Sequence, residues 1–127
     1  MNKVILMGRF TSDPETGIAG QTTYSRFRLA VDRRFKKEGE QGADFINCVA
    51  FGKTAEFIEK YFFKGMKIAT VGRIQTGSYT GKDGNKVYTT DVVVEEAHFC
   101  ESKKSIADEI EAATGISTEL EKELPFS

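Results

Sequence analysis

The segment Phe45-Ile46-Asn47-Cys48-Val49-Ala50-Phe51-Gly52-Lys53 carries the side chains best suited to chemistry in this sequence. At strand period Phe45, Asn47, Val49 and Phe51 share one face, and Ile46, Cys48 and Ala50 share the other. The second set is small and apolar and suits a core. The first holds two rings six residues, or about 20 Å, apart along a strand, an amide between them, and then Gly52 and the cation Lys53. Rings kept on the face opposite a packed core form a platform for flat ligands, of which nucleobases are the commonest. A strand buried on both sides is the other reading of the same pattern, and this stretch alone leaves both open.

Two further rings bear on the choice. Phe35 lies between Arg33-Arg34 and Lys36-Lys37, in a loop with no core to bury it, and Tyr79 falls on a hairpin arm near Lys82 and Lys86. With Phe51 preceding Lys53, each of these rings has cations within a few residues. A ring stacks on any base, contributing about 1–3 kcal/mol each, while Lys and Arg follow the phosphates. The pattern therefore favours single-stranded nucleic acid. Duplex recognition would rather carry Arg or Asn into a groove on a helix, and the one clear helix here carries Glu56 and Glu59. The competing reading is structural: Phe35 packs under its own loop and Tyr79 is a cross-strand partner.

Other chemistries find little footing. Gly52-Lys53-Thr54 resembles the end of a P-loop, but the motif needs a glycine where Asn47 stands. A nucleophile–histidine pair would have to recruit His98, the only histidine, and nothing places it near a nucleophile. Glu95 and Glu96 are adjacent in a strand and should point to opposite faces. A zinc site would need Cys48, His98, Cys100 and one further ligand to converge, against the usual ligand spacings. No metal, no cofactor and no enzymatic activity are expected.

The elements that must position the rings follow from periodicity. Lys3 to Phe10 reads as a strand with a continuous buried run from Val4 to Met7. Thr11 to Thr22 reads as a loop, marked by Asp13-Pro14, Gly17 and Gly20. Thr23 to Arg33 alternates, with Phe27, Leu29 and Val31 inward and Arg26, Arg28 and Asp32 on a wet face. After the polar stretch Arg34 to Gly42 comes the strand Asp44 to Phe51. Thr54 to Phe63 switches to helical period through Ala55, Ile58, Tyr61 and Phe62, and Lys64-Gly65 ends it. Lys67 to Gln75 is a fourth strand. Thr76 to Lys86 is a hairpin arm tipped by Gly81-Lys82-Asp83-Gly84-Asn85, and Val87 to Phe99 is a fifth strand. Three strands, a short helix and two strands is the order of an all-β OB-fold, a five-stranded Greek-key barrel with its helix between strands three and four.

The chain of 127 residues fits one such domain plus a short appendage. No apolar run approaches the length of a membrane span, and the N-terminus lacks a signal-peptide pattern, so a cytosolic protein with reduced thiols is expected. The net charge of −1 hides an asymmetry: 15 Lys and Arg against 12 Asp and Glu in residues 1–100, but 3 against 7 in residues 101–127. The division is a mildly basic domain, 1–100, and an acidic tail, 101–127. Ile106 and Ile110 could support a helical turn or two, yet the tail has too little apolar surface to hold it down. Its end, Leu124-Pro125-Phe126-Ser127 behind acidic residues, would suit a basic, apolar pocket on a partner.

Over residues 2–99 the sequence resembles the bacterial-type single-stranded DNA-binding proteins, in bacterial, phage or mobile-element form. The segments that carry the resemblance are Asn2 to Gly8, Asp13-Pro14-Glu15, Val49 to Lys53, Lys64-Gly65 and Tyr88 to Val94. It implies base stacking at Phe35, Phe45, Phe51 and Tyr79, where relatives often carry Trp at three of the four and this chain has none. It implies phosphate contacts at Lys53 and Lys64, to which local charge adds Arg33, Arg34, Lys36, Lys37, Arg73, Lys82 and Lys86. It further implies a homotetramer acting in replication, recombination and repair, cytoplasmic and nucleoid-associated. Replication and repair proteins would be recruited through Leu124, Pro125 and Phe126. The tail departs from the family in that Ser127 follows Phe126 and Leu120, Lys122 and Leu124 dilute the acidic run. An alternative of another class is a primosome-like or mobile-element accessory protein that acts mainly through protein contacts.

Overall fold

The computed structural model describes residues 1–35, 39 and 42–100. Six strands and one helix follow along the chain: β1 (Val4–Phe10), β2 (Glu15–Ala19), β3 (Thr22–Asp32), β4 (Ala43–Phe51), α1 (Gly52–Tyr61), β5 (Lys67–Thr80) and β6 (Lys86–Phe99). β1 pairs antiparallel with β5, and β5 with β6. β6 then runs parallel to β4 where Val92–Val94 meet Cys48–Ala50. β4 pairs antiparallel with β3, and β3 returns to β1 where Arg9 meets Ala30 and Phe10 meets Leu29. Those five strands close on themselves into the OB-fold barrel.

The expected loop from Thr11 to Thr22 contains a strand. β2 forms a hairpin with β3, Glu15 opposite Arg26 through Ala19 opposite Thr22. It shares with β1 one edge of β3, which is bordered by β2 at its start and by β1 near its end. Main-chain pairing makes this strand, and Ile18 on it is exposed, so no apolar period marks it.

Alternation fills the barrel. Phe27 and Leu29 of β3, Cys48 and Ala50 of β4, Ile68 of β5, and Val92 and Val94 of β6 all turn into one core. β1 corrects the expected buried run: Val4 and Leu6 pack against that core, while Ile5 is 76% and Met7 52% exposed. The strand alternates, although four apolar residues in a row conceal it.

Helix α1 closes one end of the barrel with Ala55, Ile58 and Tyr61. It begins and ends two residues earlier than the period suggests. Gly52, at φ +62°, makes the sharp exit from β4 into the helix, a conformation glycine adopts at no steric cost. Phe62 is already extended at the other end, its N–H donating to the Ile58 carbonyl at 3.0 Å. Phe62 thereby drops into the core, stacked on Phe10 at 5.5 Å and on Phe99 at 5.1 Å. Burying a ring of this size contributes about 1.5–3 kcal/mol.

The β5–β6 ladder slips once. Val71 faces Glu96 but Gly72 faces Val94, so Glu95 is the extra residue of a β-bulge. Glu95 and Glu96, expected on opposite faces, are both exposed and take different partners, Lys3 and Arg73 for Glu95 and His98 for Glu96. A Cβ on Gly72 would sit 2.2 Å from the Val93 carbonyl oxygen, so only glycine permits the close approach there.

Candidate nucleic-acid interface

Beyond Ile74 and Val92 the β5–β6 ladder leaves the barrel. Gln75–Thr80 still pair with Lys86–Asp91, but β4 meets β6 only at Val92–Val94. The result is a two-stranded arm on which β6, among the described residues, has a free edge from Lys86 to Asp91. Its tip is fixed internally. Gly81 N–H donates to the Asn85 carbonyl at 2.7 Å, and the Asp83 carboxylate accepts from the Asn85 N–H and Nδ2 at 3.0 Å each. Those bonds hold the Asp83 carboxyl below its usual range.

Between the arm and the outer faces of β3 and β4 lies an open groove of about 580 Å³. Arg26 and Arg28 line it from β3, Asn47 and Val49 from β4, and Tyr79, Tyr88, Thr90 and Asp91 from the arm, with Ser12 and Glu15 at one end. Phe45 and Phe51 stand exposed on β4, on the face that Asn47 and Val49 share. The core side of the same strand carries Cys48 and Ala50, fully buried, with Ile46 packed against them. Burial, with a smaller push from the Asp91 charge, raises the Cys48 thiol to about 12. It stays neutral beneath the groove.

The four rings singled out by sequence are all exposed: Phe35 at 84%, Tyr79 on the arm, and Phe45 and Phe51 on β4. Two of them lie under guanidinium groups. Arg34 sits 5.7 Å from the Phe35 centroid, and Arg28 sits 4.8 Å from that of Phe45. Arg28 reaches Phe45 from the neighbouring strand, a pairing that follows from the β3–β4 register and leaves no mark along the chain. Arg26 and Arg28, seen in the sequence only as a wet face, are thus groove cations.

The predicted phosphate cations divide. Lys53 is exposed on the first turn of α1, two residues from Phe51, and Lys82 and Lys86 are exposed at the arm tip. The Lys64 backbone N–H donates to the Asp13 carboxylate at 2.9 Å. That bond holds the turn beside the Ser12–Glu15 end of the groove. Arg33 instead grips Asp44, at 2.9 Å through Nε and 2.8 Å through Nη2. Arg73 lies 3.6 Å from the Glu95 carboxylate, which also takes Lys3 at 3.2 Å. Lys36, Lys37, Leu124, Pro125 and Phe126 lie outside the described residues.

His98 is exposed, 3.5 Å from Glu96. Among the described residues no three His, Cys, Asp or Glu side chains come together to hold a metal ion, and no helix is long and apolar enough to cross a membrane.

A closed OB barrel with a projecting arm, and a surface groove bordered by exposed rings and cations, is the class that these features define. Residues 1–100 match the single-strand binding protein family, and the chain belongs to it. It is 54% identical over 104 residues to the single-stranded DNA-binding protein of Clostridium perfringens, covering 80% of this chain and 67% of that protein. It is 52% identical over 103 residues to single-stranded DNA-binding protein 3 of Clostridium acetobutylicum, covering 80% and 72%. Against the single-stranded DNA-binding protein of Fusobacterium nucleatum the identity is 51% over 110 residues, covering 83% and 70%.

Proposed function

We propose that this protein binds single-stranded DNA with little regard to sequence and acts by binding alone. Bases stack on Phe35, Phe45, Phe51 and Tyr79, and phosphates follow Arg26, Arg28, Lys53, Lys64, Lys82, Lys86 and the cations around Phe35. The observation that carries this is an open groove lined by Arg26, Arg28, Tyr79 and Tyr88, together with exposed rings under guanidinium groups at Phe45 and Phe35, on a member of the single-strand binding family. Ring faces accept any base, which gives binding without regard to sequence. Arg33 and Arg73, engaged by Asp44 and Glu95, contribute less than the others.

By the same reading the domain works as a homotetramer. Among the described residues the edge of β1 from Val4 to Gly8 has no partner on its β3 side, and Ile5 and Met7 stand exposed beside it, which supports pairing with a second copy. Coating exposed strands during replication, recombination and repair, on the nucleoid in the cytoplasm, follows from that activity. The acidic tail, residues 101–127, serves as a separate segment that recruits replication and repair proteins.

Titration of oligo-dT over a range of salt concentrations tests the binding. Tight binding at low salt with a slope near −0.7 per neutralised phosphate is expected. No binding at low salt would reject the reading. Deleting Pro125 to Ser127 should leave DNA affinity unchanged and weaken capture of replication proteins; undiminished capture would reject the tail's role.

A further inference from the structure

Tyr88 is the most exposed ring of the arm, at 76% against 58% for Tyr79. We propose that Tyr88 is an additional base-stacking residue, reached by a strand that turns round the free edge of β6 onto the face of the arm opposite Tyr79. The proposal rests on the single-strand reading above and assigns a further subsite to it.

The register separates the two rings. Tyr79 lies opposite Val87 and Tyr88 opposite Ser78, so the rings project from opposite faces of the ribbon. Four consecutive residues, Tyr88 to Asp91, nevertheless line the groove. A strand shows only alternate residues on one face, so four in succession mean that the groove runs along the edge of β6. Among the described residues that edge has no partner strand before Val92. A ligand held there lies where both faces of the arm are within reach.

The surroundings of Tyr88 suit a nucleotide better than a structural role. Its cross-strand neighbour Ser78 is too small to cover a ring. Lys86 Nζ stands 5.6 Å from the Tyr88 centroid, which places a cation beside the base for its phosphate. The arrangement repeats that of Arg34 at Phe35 and of Arg28 at Phe45.

Since the chain has no Trp, the single-Trp variants Y88W, Y79W and F51W each report from one place. Saturating long oligo-dT should quench the Y88W indole, as it quenches the other two. Y88A should weaken binding of long oligo-dT roughly 5- to 150-fold while Y88F keeps it. An unquenched Y88W beside a quenched Y79W, or Y88A binding long strands as wild type while F51A does not, overturns the proposal and leaves the groove intact. A blue-shifted, DNA-insensitive Y88W indole would show that a second copy covers the ring, and also overturns it. Absence of any binding by the wild-type chain overturns the proposal and the single-strand reading together.

Discussion

Replacing Phe51 by Ala separates stacking from both folding and charge. Phe51 is 47% exposed at the end of β4, so only about half of the 1.5–3 kcal/mol of a fully buried ring is at stake in the fold. The expected stability loss is about 1 kcal/mol, with no closed cavity, which lowers Tm by roughly 4–8 °C in a domain of this size. Loss of a stacked base should remove about 1–3 kcal/mol of affinity, roughly 5- to 150-fold. Salt then identifies the mechanism. A stacking residue neutralises no phosphate, so F51A should lower log K by the same amount at every salt concentration and leave the slope untouched. K53A, two residues away, should instead flatten the slope by about 0.7. F51Y should bind as wild type and F51L nearly as poorly as F51A, because an aliphatic side chain covers the surface without offering a π face. Fluorescence titration of oligo-dT at several salt concentrations gives both numbers. A folded F51A with unchanged affinity, or an F51A that alters the slope, would refute the assignment of Phe51 to bases.

Arg28 and Phe45 should act as one unit, since the guanidinium lies 4.8 Å from the ring centroid. R28A and F45A together should weaken oligo-dT binding by about 0.5–1 kcal/mol less than the sum of the singles, and strict additivity in the double-mutant cycle would separate them. Gly72→Ala forces a Cβ to within 2.2 Å of the Val93 carbonyl oxygen. It should cost about 3 kcal/mol, the upper end of overpacking, and drop Tm by roughly 12–24 °C. Gly77→Ala, where only the Thr89 hydroxyl comes near, at 3.1 Å, should melt close to wild type. Stability should also fall in alkali. The Cys48 thiol is raised from 9.0 to about 12 in the folded chain, so the unfolded chain loses its proton first and ΔG of unfolding declines between about pH 9 and 12. The decline reaches at most about 4 kcal/mol. Denaturation midpoints of wild type and C48A should therefore converge as pH rises through this window, and parallel curves would contradict it.

The barrel was legible because most of its strands bury one face and show the other. Phe27 and Leu29 against Arg26 and Arg28 state the period plainly, and Ala55, Ile58 and Tyr61 state the helical one. β2 was illegible for the opposite reason. Its partner is the main chain of β3, and Gly17, Gly20 and the exposed Ile18 read as loop punctuation. In β1 the identity of the residues concealed the alternation, since Ile5 and Met7 are as apolar as Val4 and Leu6. The bulge at Glu95 depends on how closely Gly72 approaches Val93, a three-dimensional contact with no one-dimensional signature.

Within the candidate site, the rings were readable one at a time and the groove was not. Phe35 and Tyr79 stand out because each is an isolated ring among cations. The partnership of Arg28 with Phe45 needs the β3–β4 register, and the engagement of Arg73 by Glu95 needs the bulge. The free β6 edge needs both, because it exists only where the ladder outruns β4. Such an edge ordinarily invites pairing with another chain. Here it carries Lys86 and Asp91 at its two ends and hydroxyls at Thr89 and Thr90 between them, while the Asp83–Asn85 bonds fix the hairpin tip. Charges at the ends discourage a flat apolar neighbour strand. The hydroxyls, the carboxylate and the unpaired main-chain groups between them remain available to the polar edges of bases. Asp91 and Glu15 within the groove repel phosphate, whereas Arg26 and Arg28 on the facing strand attract it.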